Sequence, residues 1–286
     1  MIAEDREPLQ VAPDTVLVEP ANAPRYGKSS LLTPKKDKQG NWQWTDLRRA
    51  VGHATYLLNT HDPGGQARAA GKVGLISFKD CVDTIGDALN IPKYRRMWFW
   101  GSRGSNALED CDILLLVGTP ALAPDEVEEY ARDLHRQGPQ PIVGGREKDP
   151  TTGRERFKDP RVQALADHLT NGETTQCAHR CRAVQHQGRM IINLGHGVIG
   201  DMAGARIITD ELPAQITPAG QVKNQANLEQ AIQNLIAAYQ KLQAVGVSTP
   251  GSGSTTNARH RSMCAWTREV PKRLKETLLA LWETHP

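Results

Sequence analysis

At 286 residues, with 38% apolar and 23% charged side chains, the chain is long enough to bury a proper core and too apolar to be disordered. A net charge of +3 is too weak for a whole-chain field to attract nucleic acid, so any such surface must come from the local placement of arginines. The five cysteines make an odd count in a chain with no apolar signal segment, which points to a reducing, cytoplasmic setting, and no run reaches the length of a membrane span.

Residues 1–13 are polar and read as a loose N-terminus. Thr15 to Val18 predicts a strand, followed by a turn-rich basic segment containing Gly27-Lys28-Ser29. A phosphate-binding loop needs a second glycine five residues earlier, and that position is Asn22, so the cradle is missing. Trp44 to Asn59 is patterned as a helix through Leu47, Val51 and Tyr56, with Thr45 as its cap. Val73 to Phe78 predicts a strand and Asp80 to Leu89 a helix.

Met97 to Pro120 organises the chain. A short aromatic strand (Met97 to Trp100) leads into the turn Gly101-Ser102-Arg103-Gly104-Ser105-Asn106, and a purely apolar strand follows from Ile113 to Val117. Pro124 at a first helical position, acidic residues behind it, and Val127, Tyr130, Ala131 and Leu134 at helical spacing predict an amphipathic helix. Gly138 to Arg156 reads as an exposed excursion, Arg161 to Leu169 as a short helix, and a separate helix carries Gln176 and Arg180 on one face. Met190 to Leu194 is the last expected core strand. Beyond residue 205 the pattern becomes helical, with a linker over 246–258 and a final helix approached through the most basic run of the chain. The divisions are thus 1–13, an α/β domain over 14–204 with a mostly parallel sheet, and a helical extension over 205–286.

Arg103-Gly104-Ser105-Asn106 after a strand, and Gln176-Cys177-Ala178-His179-Arg180 before one, resemble the fifth (R-G-x-D) and sixth (Q-x-x-G-R-x-x-R) motifs of the DEAD-box and DEAH-box helicase superfamily. They lie in that family's second RecA-like domain, so the resemblance implies a RecA-like three-layer sandwich. It also implies half of a helicase or translocase, whose ATP and Mg²⁺ bind only when a separate P-loop domain completes the site. Arg180 would be the arginine that meets the triphosphate, with Gln176 orienting the nucleotide. Arg182 comes two residues after Arg180 where the family has three, so it either folds back to a phosphate or pairs with an acidic neighbour. Asn106 replaces the usual aspartate and would bond a ribose hydroxyl without bringing charge, and Gly104 shapes the turn around it. Arg103 would bind either a nucleic-acid phosphate or an acidic group of the partner domain, and Ser77, Lys79 and Ser102 would contact the nucleic-acid backbone, as DNA or RNA. His179 departs from the motif's glycine.

Cys177, His179 and Cys181 alternate as metal ligands sometimes do, but i and i+2 do not share a helical face, and no metal site is expected. The sequence contains neither G-x-x-x-x-G-K-[ST] nor an apolar strand ending in D-E-x-H, so the chain alone should not hydrolyse ATP. Two other classes remain open: a stand-alone module that binds nucleic acid or protein without turnover, and a small-molecule enzyme on a doubly wound sheet, which would need a closed apolar pocket at the strand ends.

Overall fold

The computed structural model describes residues 10–36, 42–101, 104–138, 140–150, 155–200 and 202–213. In chain order they form β1 (Val16–Val18), α1 (Lys28–Leu32), a small hairpin of β2 (Lys35–Lys36) and β3 (Trp42–Gln43), α2 (Thr45–His61), α3 (Gln66–Ala69), β4 (Val73–Ser77) and α4 (Val82–Ala88). There follow β5 (Arg96–Trp98), β6 (Ile113–Val117), α5 (Pro124–Leu134), a hairpin of β7 (Arg146–Lys148) and β8 (Glu155–Phe157), α6 (Pro160–Ala178), β9 (Met190–Leu194) and β10 (Arg206–Ile208).

Six of the strands make one sheet in the order β10-β1-β9-β6-β4-β5, with every pairing parallel. A parallel sheet must be covered on both faces, and the sequence meets that need with largely apolar central strands. Leu75, Ile76, Leu114, Leu115, Leu116, Ile191 and Ile192 are all fully buried. Each such side chain contributes about 1.5–3 kcal/mol by leaving water. The chain moves one way along the sheet from β1 through α2 to β4 and through α4 to β5, and the other way from β6 through α5 and α6 to β9. Right-handed crossovers running in opposite directions place their helices on opposite faces. The result is a Rossmann-like or RecA-like α/β fold. Between neighbouring β4 and β6 the chains leave in opposite directions, so the topological switch point of the sheet lies at the carboxyl ends of these two strands.

Several elements differ from their sequence patterns. One continuous helix, α6, replaces the two expected between Arg161 and Arg180. Asp159 caps it, its side chain accepting the Arg161 N–H at 3.0 Å, and Pro160 fills the first turn. Thr45 is the first residue of α2 rather than its cap. Along α5 only Val127 and Ala131 are buried, while Tyr130 (56% exposed) and Leu134 (68%) face outward. The excursion after Gly138 holds the β7–β8 hairpin. The sheet also takes in β10, past residue 204, as an edge strand beside β1. Residues 214–286, with the rest of the expected helical extension, its linker and its basic final helix, lie outside the described residues, as do Ser102 and Arg103. No helix among the described residues is long and apolar enough to cross a membrane.

Candidate functional site

The inner face of α6 carries Glu173, Thr174, Cys177 and Ala178, all buried. A carboxylate so placed needs hydrogen bonds, and Glu173 Oε1 accepts the backbone N–H of Trp100, just past β5, and the Cys177 thiol at 3.4 Å. The outer flank holds the loop after β9: Asn171 Oδ1 accepts the Val198 N–H and Thr175 Oγ1 accepts the Gly200 N–H, each at 2.9 Å. Gly197 is required there because a Cβ would collide with Thr174. Through α6, the turn after β5 and the loop after β9 are fixed to one rigid element.

At Ala178 the helix tightens into a 3-10 turn over His179–Cys181, and Arg182 turns the chain with a left-handed backbone (φ 50°). Arg180 therefore sits further round from Gln176 than α-helical spacing implies. The Arg180 side chain is half-buried; its Nε is shielded from solvent without a hydrogen-bond partner, and it has no ion pair among the described residues. Gln176 is exposed. Arg182 is committed elsewhere: Nη2 donates to Asn106 Oδ1 at 3.1 Å and lies 3.1 Å from Glu109 Oε2, while Nη1 donates to Gln185 Oε1 at 3.3 Å. Of the two roles open to Arg182, the acidic neighbour is the one realised. The two motif-like segments thus meet through Arg182 and Asn106.

The loop from Gly104 to Asp112 reaches that contact because it is clamped from below. Gly104 has the positive φ (74°) that suits glycine, and Leu108 and Cys111 are buried. Arg95, itself buried, donates from Nε to Gly71 O (3.0 Å), from Nη1 to Ala107 O (2.6 Å) and Asp110 Oδ1, and from Nη2 to Asp110 Oδ2 (2.9 Å). Lys72 adds a second contact to Asp110 at 2.9 Å. The guanidinium, then the ammonium, holds the Asp110 carboxyl well below the usual carboxylate range. Sequence reasoning missed Arg95; its only signal was the basic run Lys93-Tyr94-Arg95-Arg96 placed directly before a strand.

Of the residues expected to touch nucleic acid, Ser77 is displaced from that role. It is fully buried (0% exposed), and its hydroxyl donates to Val117 O at 2.7 Å, tying β4 to β6. Lys79 is exposed, with Nζ 5.5 Å from the centroid of the Trp98 ring. Gly27 precedes the five-residue α1, and Lys28 pairs with Asp80 at 3.0 Å. Cys177 and Cys181 are fully buried, and burial pushes the Cys181 thiol up to about 12, and Cys81 and Cys111 to about 11. Among the described residues no group of three metal-ligating side chains stands together. No family model, curated protein or solved structure matches the chain.

Proposed function

We propose that this chain is the second RecA-like half of a nucleic-acid helicase or translocase and supplies Arg180 to an ATPase site completed by a separate P-loop domain. The condition of Arg180 carries the proposal. A guanidinium partly withdrawn from water, with its Nε unpartnered and no ion pair among the described residues, suits a group whose partner arrives on assembly. A triphosphate is such a partner: charge spreads over the transferring phosphoryl oxygens, and an arginine fixed in a water-poor cleft stabilises it strongly.

The surrounding residues have supporting roles. Arg182 acts as a latch between the two segments through Asn106 and Glu109. Asn106 spends its Oδ1 on that latch, which leaves its amide N–H groups for a ribose hydroxyl. Gln176, exposed one turn before Arg180, is free to orient the nucleotide. With no P-loop glycine pair and no D-E-x-H strand end in the sequence, the phosphates and Mg²⁺ would be cradled by the partner. The test is ATP turnover by the chain alone and mixed with a P-loop chain encoded beside it, with nucleic acid present. Turnover by the isolated chain, or a mixture no faster than the P-loop chain alone, would contradict the proposal.

A further inference from the structure

Strand β5 is an edge of the sheet, and its carboxyl end shows two tryptophans to solvent, Trp98 at 39% and Trp100 at 37% exposure. A pair of partly exposed indoles at a sheet edge is a liability unless the rings have a use. The local chain goes to some length to present them. Trp100 adopts a positive φ of 64°, a conformation that bulky side chains avoid, and it is kept there by the bond from its N–H to the buried Glu173 carboxylate. The Gly101 N–H closes the turn onto Trp98 O at 3.1 Å, and a Cβ at Gly101 would collide with the Trp98 indole, so glycine lets that ring lie against the chain. Lys79, from the neighbouring strand end, brings an exposed ammonium to 5.5 Å from the Trp98 ring centroid.

We infer that Trp98 and Trp100 form a base-stacking platform for single-stranded nucleic acid, with Lys79 meeting the adjoining phosphate. This rests on the nucleic-acid part of the proposed function and not on its nucleotide part. Two partly exposed indoles, one with a cation over its ring, match what an unpaired strand offers, which is π-faces carried on a charged backbone. A duplex, whose bases are already stacked, does not offer those faces. Stacking needs no particular base, so the platform is expected to bind single strands with little sequence preference. The buried Glu173 sets the attitude of Trp100 and is a positioning residue.

The test compares two fluorescein-labelled oligomers of equal length on the full chain by anisotropy: an oligothymidylate and an abasic strand with the same phosphates. The platform predicts that the thymidylate binds about tenfold or more tighter, the order of one stacked base. Trp98→Ala and Trp100→Ala should each remove most of that preference and leave abasic binding unchanged. Lys79→Ala should weaken both oligomers alike and reduce the slope of affinity against salt by roughly 0.7, one phosphate contact. Equal affinity of the unaltered chain for the two oligomers overturns the platform without needing any variant, as does a preference that survives both tryptophan substitutions. Failure to bind either oligomer overturns the platform and the nucleic-acid part of the proposed function together. Loss of ATP turnover on Arg180 substitution has no bearing on the outcome.

Discussion

Arg182 Nη2 and Asn106 Oδ1 lie 3.1 Å apart, joining segments separated by 76 residues in the chain, and the same guanidinium reaches Glu109 at 3.1 Å. The left-handed backbone of Arg182 makes this reach possible, since it turns the chain off the end of α6 toward the loop that precedes β6. An exposed pair of this kind is worth little alone. We expect a double-mutant cycle of Arg182→Ala with Asn106→Ala to give a coupling of about 0.5–1 kcal/mol by urea unfolding. Asn106→Asp should enlarge the coupling and make it salt-sensitive, because it replaces a neutral acceptor with a charged one.

Arg95 is the stronger fastening of the same loop. Arg95→Ala removes a buried guanidinium that serves the carbonyls of Gly71 and Ala107 as well as Asp110, and should cost on the order of 1–3 kcal/mol. The pH dependence follows from Asp110, whose folded pKa is depressed. Its contribution is fully present above the unfolded value of about 4 and is lost as pH falls toward the folded one. Asp110 is half exposed (52%), so the effect should be modest and reduced by salt. Unfolding curves at pH 5 and pH 3 should differ less for Arg95→Ala than for the unaltered chain.

Glu173 holds the Trp100 turn from inside the core. Glu173→Ala leaves the Trp100 N–H without its acceptor and opens space beside Cys177, with an expected loss of about 2–4 kcal/mol. Glu173→Gln keeps the shape and an acceptor oxygen, and should cost clearly less. Amide exchange at Trp100 separates the two cases: protection should fall sharply in the alanine variant and only slightly in the glutamine variant.

His53 ties the last described residues to α2. Its Nε2 donates to Pro213 O at 3.3 Å, which places a proton on Nε2, and in the neutral ring its Nδ1 accepts the Tyr26 hydroxyl at 2.7 Å. Burial, opposed by the Pro213 bond and reinforced by Arg49, pushes its pKa below the ordinary value. The unfolded chain therefore takes up the proton first, so the stabilisation is full above about pH 6.5 and lost as pH falls toward the folded value. Urea midpoints should drop between pH 7.5 and pH 5.5, and His53→Gln should shrink that drop.

The strands were legible where burial is complete on both faces: Ile113–Val117 could be read to the residue because five consecutive apolar side chains admit little else. Helix α6 was read as two, Arg161 to Leu169 and a separate helix with Gln176 and Arg180; weak helix formers Thr170, Asn171 and Gly172 lie between them, yet a buried stripe of Glu173, Thr174 and Cys177 carries the helix through. Ser77, near the end of its strand, was read as a contact for the nucleic-acid backbone, whereas its hydroxyl is fully buried because the Val117 carbonyl accepts from it. The outward Tyr130 and Leu134 show the limit of periodicity, which finds a stripe but not how much of it the neighbouring elements cover. Gln176 and Arg180 were paired on α-helical spacing that the 3-10 turn at His179–Cys181 breaks, and the partnership of Arg182 with Asn106 depends on a left-handed residue that no pattern in the sequence marks. Trp98 and Trp100 were taken as strand residues, and only their exposure distinguishes them.

The most direct test is Arg180→Ala measured two ways. Because Arg180 has no ion pair among the described residues, the substitution should leave the unfolding free energy obtained from urea curves within about 0.5 kcal/mol of its unaltered value. In the mixture with the P-loop chain, nucleic-acid-stimulated ATP turnover should fall by roughly 10³-fold or more, with nucleic-acid affinity unchanged. A stable variant that sustains full turnover would contradict the central claim, as would a variant whose lost activity is matched by lost stability.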